Sequence, residues 1–208
     1  MTSNTAPIDE VLLERFKRLS SGEIADTKLD TVTVLRPDIG ALHTDCSVVG
    51  PVRTAMLDPS ALCAPVGTLE DADEGEVVVI DADGCVDEAV WGDLLSAYAT
   101  KRGVEGVVTN GAIRDVSGIR DLGFPAFARE LTPRGPTGSG EEAERNVPVT
   151  VGGASIQPGD ILVGDETGIV VIERDAAEDV LAAAEDIAEM ERSVREHIDD
   201  GGALEDAL

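Results

Sequence analysis

Val77-Val78-Val79-Ile80 is the run that most limits what this chain can fold into. Four consecutive apolar, mostly β-branched residues favour a strand, and a strand with no polar alternation must be buried on both faces. It therefore needs an interior place in a sheet that is covered by other layers. Strand-like patterning also runs from Leu42 to Ala55, through Cys46, Val48, Val49, Val52 and Thr54, with a turn expected at Gly50–Pro51. Asp83–Gly84 is a hairpin signal and predicts a returning strand over Cys85–Val90. Gly106–Thr109 and Phe124–Leu131 read as further strands. Val147–Ile172 reads as a meander with turns at Gly152–Gly153, Pro158–Gly159 and Thr167–Gly168.

Helical spacing separates these strands. Ile8, Leu12, Phe16 and Leu19 recur at helical intervals, and Ser21 or Asp26 could cap a short helix that follows. Ala61–Glu70 fits a helix or an irregular crossover. Helices are predicted over Asp93–Arg102 and near Val116–Leu122, and a final one over about Ala176–Ile198. The last aligns Val180, Ala184, Ile187, Met190, Val194 and Ile198 in a stripe suited to core or subunit interface. Strands alternating with helices, then a meander, predict one α/β domain of mixed sheets over residues 1–208, with no repeat or linker. The Gly-, Pro-, Thr- and Ser-rich stretch Arg134–Glu144 is the expected mobile loop. Its Gly138-Ser139-Gly140 lacks the following Gly-Lys-Ser/Thr of a phosphate loop and reads as a linker or hairpin tip.

Charge narrows the function classes. Asp and Glu number 42 against 16 Lys and Arg, for a formal charge of −26, and the acids are spread along the chain. That pattern suits a solvated surface in a salt-rich cytoplasm, where self-repulsion is screened. No basic patch is available to exchange for counterions, which argues against direct nucleic-acid binding. No apolar run approaches the roughly 20 residues needed to span a bilayer, so a soluble, cytoplasmic protein is expected. Cys46, Cys63 and Cys85 are odd in number and lack Cys-x-x-Cys pairing, so they read as reduced thiols. His43 and Cys46 have a metal-compatible spacing, but two ligands fall short of the three or four that zinc sites use. His197 lies in a charged segment and reads as a surface residue.

Chemistry concentrates between Gly92 and Asp115. Gly92-Asp93-Leu94-Leu95 opens a helix: Gly92 permits close backbone approach, Asp93 suits an N-cap, and the Leu94 and Leu95 amides would point outward to an anion. A capped helix alone would look the same. After the strand comes Thr109-Asn110-Gly111-Ala112-Ile113-Arg114-Asp115, expected to be a loop at a strand C-terminus, where α/β proteins bind ligands. Arg114 can bind a carboxylate bidentately, and Asp115 can hold a hard divalent cation. A local ion pair capping the next helix is the simpler alternative.

These two motifs, in this order and 22 positions apart, resemble those of the class II 4-hydroxy-4-methyl-2-oxoglutarate aldolases, a family that includes the regulator of ribonuclease activity A. Gly50–Thr54, Phe124–Ala128 and Pro158-Gly159-Asp160 to Ile172 are similar too, so the resemblance runs from about Ser20 to Ile172. It implies a swivelling β/β/α domain assembling into trimers, sometimes hexamers, with the active site in a cleft between subunits. It further implies that the Leu94 and Leu95 amides, beside Gly92, bind the pyruvate carboxylate. Arg114 would contact the keto or enolate oxygen, Asp115 would anchor Mg²⁺ or Mn²⁺, and Asp93 with Arg114 would position a proton-carrying water. One departure stands out: many members have Asp where this chain has Asn110.

Physical logic runs parallel to the resemblance. Cleaving a carbon–carbon bond beside a 2-oxo acid leaves an enolate whose oxygen needs stabilising. A Schiff-base lysine is one route, but Lys101, the only lysine near the motifs, sits late on its helix. A metal acting as Lewis acid is the other, and Asp115 with Arg114 fits it. The expected activity is retro-aldol cleavage of a 4-hydroxy-2-oxo diacid to pyruvate, with oxaloacetate decarboxylation as a side activity. The rival is a non-catalytic regulator binding a ribonuclease or helicase. Relatives have also been labelled menaquinone methyltransferases, but no G-x-G-x-x-G opens a helix after an early strand.

Overall fold

The computed structural model describes residues 8–138 and 144–207. The elements in chain order begin with α1 (Glu10–Phe16), α2 (Ser21–Ala25), β1 (Val32–Val34), β2 (Gly40–Ala41), β3 (Val48–Met56) and α3 (Val66–Asp71). The middle of the chain holds β4 (Val77–Asp81), β5 (Ala89–Trp91), α4 (Asp93–Arg102), β6 (Gly106–Ile113), α5 (Val116–Leu122) and β7 (Ala126–Leu131). Then follow β8 (Glu144–Arg145), β9 (Val149–Val151), β10 (Ala154–Ile156), β11 (Ile161–Gly164), β12 (Ile169–Ile172) and α6 (Ala177–Asp199). Among the described residues, one mixed sheet runs β1-β12-β11-β3-β4-β6-β7-β2, with β5 on β6 and β8 on β3, while β9 and β10 form a separate hairpin.

The apolar strands are two-faced, as the Val77–Ile80 run requires. Val78 and Ile80 of β4 and Val107 of β6 pack into a core with α3, α4 and α5, around Leu69, Ala99 and Ile119. Val77, Val79 and Val108 face the opposite way, into a second core closed by β9 and β10. β11 and β12 repeat the alternation. Leu162, Ile169 and Val171 point into the second core, and Ile161, Val163, Val170 and Ile172 meet Phe16, Ile24, Val180 and Leu181 of the terminal helices. Each fully buried side chain of this kind stabilises the fold by roughly 1.5–3 kcal/mol.

β3 joins the two halves of the sheet. Val48–Pro51 pair antiparallel with β11, and Val52–Met56 pair parallel with β4. The expected turn at Gly50–Pro51 does not form; the strand passes straight through and changes partner there. Gly50 permits this, because a Cβ at that position would lie 2.2 Å from the Gly75 carbonyl oxygen. The hairpin expected at Asp83–Gly84 is absent as well. Both edges of β4 are taken by β3 and β6, so the returning segment shortens to β5 and pairs in parallel with β6.

Smaller corrections have local causes. The first helix is confined to Glu10–Phe16, and α2 is capped by Ser20, whose side chain and that of Glu23 form a reciprocal capping box. Ser21 instead donates through its amide and hydroxyl, both at 2.8 Å, to Asp165 in the β11–β12 turn. Burial pushes the Asp165 carboxyl up, but these bonds and those from the Thr167 and Gly168 amides outweigh it and hold it below the ordinary range. No helix among the described residues is long and apolar enough to cross a membrane.

Replacing Gly50 by Ala is expected to lower stability by roughly 3 kcal/mol or more, because a backbone carbonyl rather than a movable side chain stands in the way. Urea unfolding measures this, and a wild-type midpoint would contradict the tight approach of β3 to Gly75.

Candidate active site

β5 and β6 run parallel with Trp91 opposite Ile113, so both strands end at the same level. The residues that follow them, Gly92 and Arg114, are brought side by side, and the Arg114 amide donates to the Trp91 carbonyl at 3.1 Å. A separation of 22 positions thus becomes a single cluster at adjacent strand C-termini, the usual ligand position in α/β sheets. Gly92 has extended backbone (φ −165°) and is needed for space: a Cβ there would sit 3.0 Å from Asp115 Oδ2 and 3.2 Å from Arg114 Cγ.

Gly92, not Asp93, is the N-cap of α4; Asp93 is the first helical residue, and no side chain caps the helix. The first amide to find an intrahelical carbonyl is that of Ser96, which donates to Gly92 O at 3.1 Å. The amides of Asp93, Leu94 and Leu95 therefore lie ahead of the helical ladder, where an anion is favoured. Leu94 is 77% exposed, whereas Leu95 packs against the helix-side core. The Asp93 carboxylate lies over α5, where a Cβ on Gly118 would come within 2.9 Å of Oδ2.

The first turn of α4 is fixed from below. Trp91 is buried and stacks on Phe124, with ring centroids 6.1 Å apart. Its indole Nε1 donates to Ser96 Oγ at 2.8 Å, and Ser96 Oγ donates to Gly92 O at 3.1 Å. This buried relay was missed in the sequence, where Ser96 looks like any helical serine.

Arg114 Nε and Asp115 Oδ2 are 3.2 Å apart, with side chains 40% and 44% exposed. A pair this open contributes about 0–1 kcal/mol and leaves both groups accessible to a ligand. Asp115 is in the left-handed region (φ 57°), which Asp tolerates better than most residues. Its carboxylate makes no capping bond to α5. The segment before it is not the expected loop: β6 continues to Ile113, with its pairing to β7 irregular between Thr109 and Ala112.

Among the described residues, no group of three or more His, Cys, Asp or Glu side chains is arranged to hold a metal. The donor at Asp115 is an exposed carboxylate beside the Arg114 guanidinium. That fits an ion of the Mg²⁺ kind, which keeps several waters and takes one or two carboxylates plus substrate oxygens. It does not fit a closed, all-protein cage.

The other residues singled out in the sequence lie elsewhere. Asn110 accepts from the Ala82 amide and donates to Asp81 Oδ1 at 2.7 Å and to the Thr150 carbonyl at 3.1 Å. An amide supplies the donor that a second ionised carboxylate beside Asp81 would lack, so this departure acts on local geometry. Lys101 is exposed in the last turn of α4, about 12 Å along the axis from Asp93. The His43 ring engages the Thr44 and Phe124 carbonyls. Burial raises the Cys46 thiol, which donates to Ala126 O. Cys63 is buried and Cys85 half-buried, and neither is in a disulfide. His197 Nε2 lies 3.2 Å from Ala203 O, and Ser139–Gly140 are outside the described residues.

A cleft of about 540 Å³ opens at the opposite ends of the strands, by Glu76 and Glu105 ahead of β4 and β6. Size alone would favour it. Its Arg53 is held in a half-buried pair with Glu76 at 2.8 Å, and its Lys17 lies between Glu14 at 3.1 Å and Glu105 at 3.5 Å, so the cleft already sets carboxylates against both cations. At Arg114 an open cation, a helix N-terminus and an exposed carboxylate coincide.

The sequence and the fold both have known relatives. Residues 22–171 match the RraA-like family, described as aldolase/RraA. A Halalkalibacterium halodurans protein provisionally named 4-hydroxy-4-methyl-2-oxoglutarate aldolase is 36% identical over 172 residues, 83% of this chain and 81% of its own. An uncharacterized protein from Pseudomonas syringae superposes with a TM-score of 0.86 at 27% identity, covering 98% and 99% of the two chains. Streptomyces coelicolor RraAS2, an unusual member of the RNase ES inhibitor RraA protein family, superposes with a TM-score of 0.81 at 28% identity, covering 92% and 100%.

Ser96→Ala is expected to destabilise the protein by about 1–3 kcal/mol, because it leaves the buried Trp91 N–H unpaired. Chemical denaturation with Trp91 fluorescence as the probe checks this. An unchanged midpoint would mean that the relay contributes nothing to holding α4.

Proposed function

The chain belongs to the RraA-like family, described as aldolase/RraA, and from that premise we propose that it is a divalent-metal-dependent lyase cleaving a 4-hydroxy-2-oxo diacid to pyruvate. The name of the H. halodurans relative points to 4-hydroxy-4-methyl-2-oxoglutarate as such a substrate. The observation that carries the reading is the junction of the free α4 amides with Arg114 and Asp115 at one pair of strand ends.

In this reading the Leu94 and Leu95 amides hold the substrate carboxylate beside Gly92, which keeps the floor of the site free of a side chain. The Arg114 guanidinium faces the 2-oxo oxygen. Asp115 would hold Mg²⁺ or Mn²⁺, directly or through water, and the bound ion would add Lewis-acid polarisation of that oxo group. The 4-hydroxyl gives up its proton, the C3–C4 bond breaks, and its electron pair moves into the C2–C3 enolate. Arg114 neutralises the growing charge on oxygen, an effect that mutagenesis of comparable donors puts at about 10²–10³ in rate. A water held by Asp93 and Arg114 exchanges the proton and delivers one to C3, giving pyruvate. With 4-hydroxy-4-methyl-2-oxoglutarate the C4 fragment is a second pyruvate. Loss of CO₂ from oxaloacetate forms the same enolate, which makes decarboxylation the expected side activity.

The exposed apolar side chains of Leu94, Tyr98, Leu122 and Leu131, on the elements that carry the site, support a trimer or hexamer in which another copy covers the cleft. The charge of −26 supports a salt-rich cytoplasmic setting. A second reading, a regulator that binds a ribonuclease or helicase, is favoured by the likeness to RraAS2 and draws on the same acidic surface.

Pyruvate release from 4-hydroxy-4-methyl-2-oxoglutarate and from oxaloacetate, in high salt with Mg²⁺ and then EDTA, tests the proposal. Metal-dependent release is expected from wild type. Arg114→Ala should lose about 10²-fold or more in kcat/KM while staying folded, and Asp115→Asn should require far more metal. Turnover by Arg114→Ala near the wild-type rate, or no pyruvate from the folded protein, would overturn the lyase reading.

A further inference from the structure

The segment that follows β7 does more than leave the sheet. It crosses from the end of β7 to the start of β5 and passes over the end of β6, where Arg114 stands. The Thr132 amide donates to Ile113 O at 3.1 Å, the Ala89 amide donates to Arg134 O at 2.8 Å, and the Gly138 amide donates to Leu62 O at 2.9 Å. Between these ties, Glu88 grips the segment with both carboxylate oxygens. Oε2 accepts from the Thr137 amide at 2.8 Å and Oε1 from the Thr137 hydroxyl at 2.9 Å. Gly135, held in the middle, lies directly on the Arg114 guanidinium: a Cβ there would be 2.5 Å from Nη1 and 3.3 Å from Cζ.

We propose that residues 132–138 form a fixed clamp, latched by Glu88 to Thr137, whose glycine face at Gly135 sets the position of the Arg114 guanidinium. The inference rests on the catalytic reading of Arg114 and names Glu88 and Gly135 as positioning residues for it. The physical argument is one of magnitudes. The Asp115 pair holds only Nε, at 3.2 Å, with both side chains open to solvent, so it leaves the far end of the guanidinium undetermined. Packing against the Gly135 backbone supplies the missing constraint, and it does so only while the segment stays put. Glu88 sits just before β5 and ties the segment to the same strand that delivers Gly92. Both halves of the site are thereby referred to one rigid element, which holds a donor to the tolerance that catalysis needs.

Three variants in the full-length protein test the clamp: Glu88→Ala, which removes the latch; Glu88→Gln, whose amide can accept from the Thr137 N–H and donate to its hydroxyl; and Gly135→Ala, which pushes the guanidinium aside. Steady-state pyruvate release is read together with the rate at which phenylglyoxal modifies Arg114, followed by peptide mass spectrometry. Expected are losses of roughly tenfold to a hundredfold in kcat for Glu88→Ala and Gly135→Ala, with unchanged melting temperatures, altered Arg114 modification rates and recovery in Glu88→Gln. Wild-type phenylglyoxal kinetics in both Glu88→Ala and Gly135→Ala would overturn the clamp, as would wild-type turnover in both. If wild type itself releases no pyruvate, the lyase reading fails, and the modification rates alone still decide whether Glu88 and Gly135 hold Arg114.

Discussion

The parallel pairing of β5 with β6 is the constraint on which the site depends. β5 has only three residues, yet its register puts Trp91 opposite Ile113 and so makes Gly92 and Arg114 neighbours. Trp91 anchors this arrangement from the core side, stacked on Phe124 and bonded to Ser96 at the start of α4. One buried side chain therefore sets the strand end, the helix entry and the direction of the free amides. The two-faced strands β4 and β6 complete the frame, because apolar cores on both sides leave them no room to shift register.

Steric closeness, more than charge, organises the functional groups. The Arg114–Asp115 pair is too exposed to fix anything by itself. Three glycines from three elements meet the three charged side chains instead: Gly92 meets Asp115 and Arg114, Gly118 meets Asp93, and Gly135 meets Arg114. At each of these positions a Cβ would fall within 3.0 Å of a functional side chain. The charged groups are thus boxed in by backbone while their polar atoms stay open, which suits the proposed grip on a small, doubly charged oxo acid.

Much of this was legible in the sequence, and the exceptions have physical reasons. The Val77–Ile80 run implied a strand covered on both faces, and it is one, because composition alone dictates burial there. The family-like pair of motifs pointed to Gly92–Leu95 and Arg114–Asp115, and the structure gathers them at one place. The partner of β5 was hidden, because Asp83–Gly84 signals a local hairpin while the actual partner, β6, lies later in the chain. Gly50–Pro51 reads as a turn until the change of partner along β3 is known. Ser96, Glu88, Gly118 and Gly135 could not be singled out, since each acts through a contact that exists only after folding. Asn110 stood out only as a departure from the family's Asp, and its effect on local geometry became visible once folding placed its amide on Asp81, Ala82 and Thr150.

A crystal structure of the protein grown with pyruvate and Mg²⁺ tests the central claim most directly. The account requires the pyruvate carboxylate on the Leu94 and Leu95 amides, its oxo oxygen toward Arg114 and the ion on the Asp115 side. Pyruvate seated instead in the cleft by Arg53 and Glu76, with the end of β6 left unliganded, would contradict it.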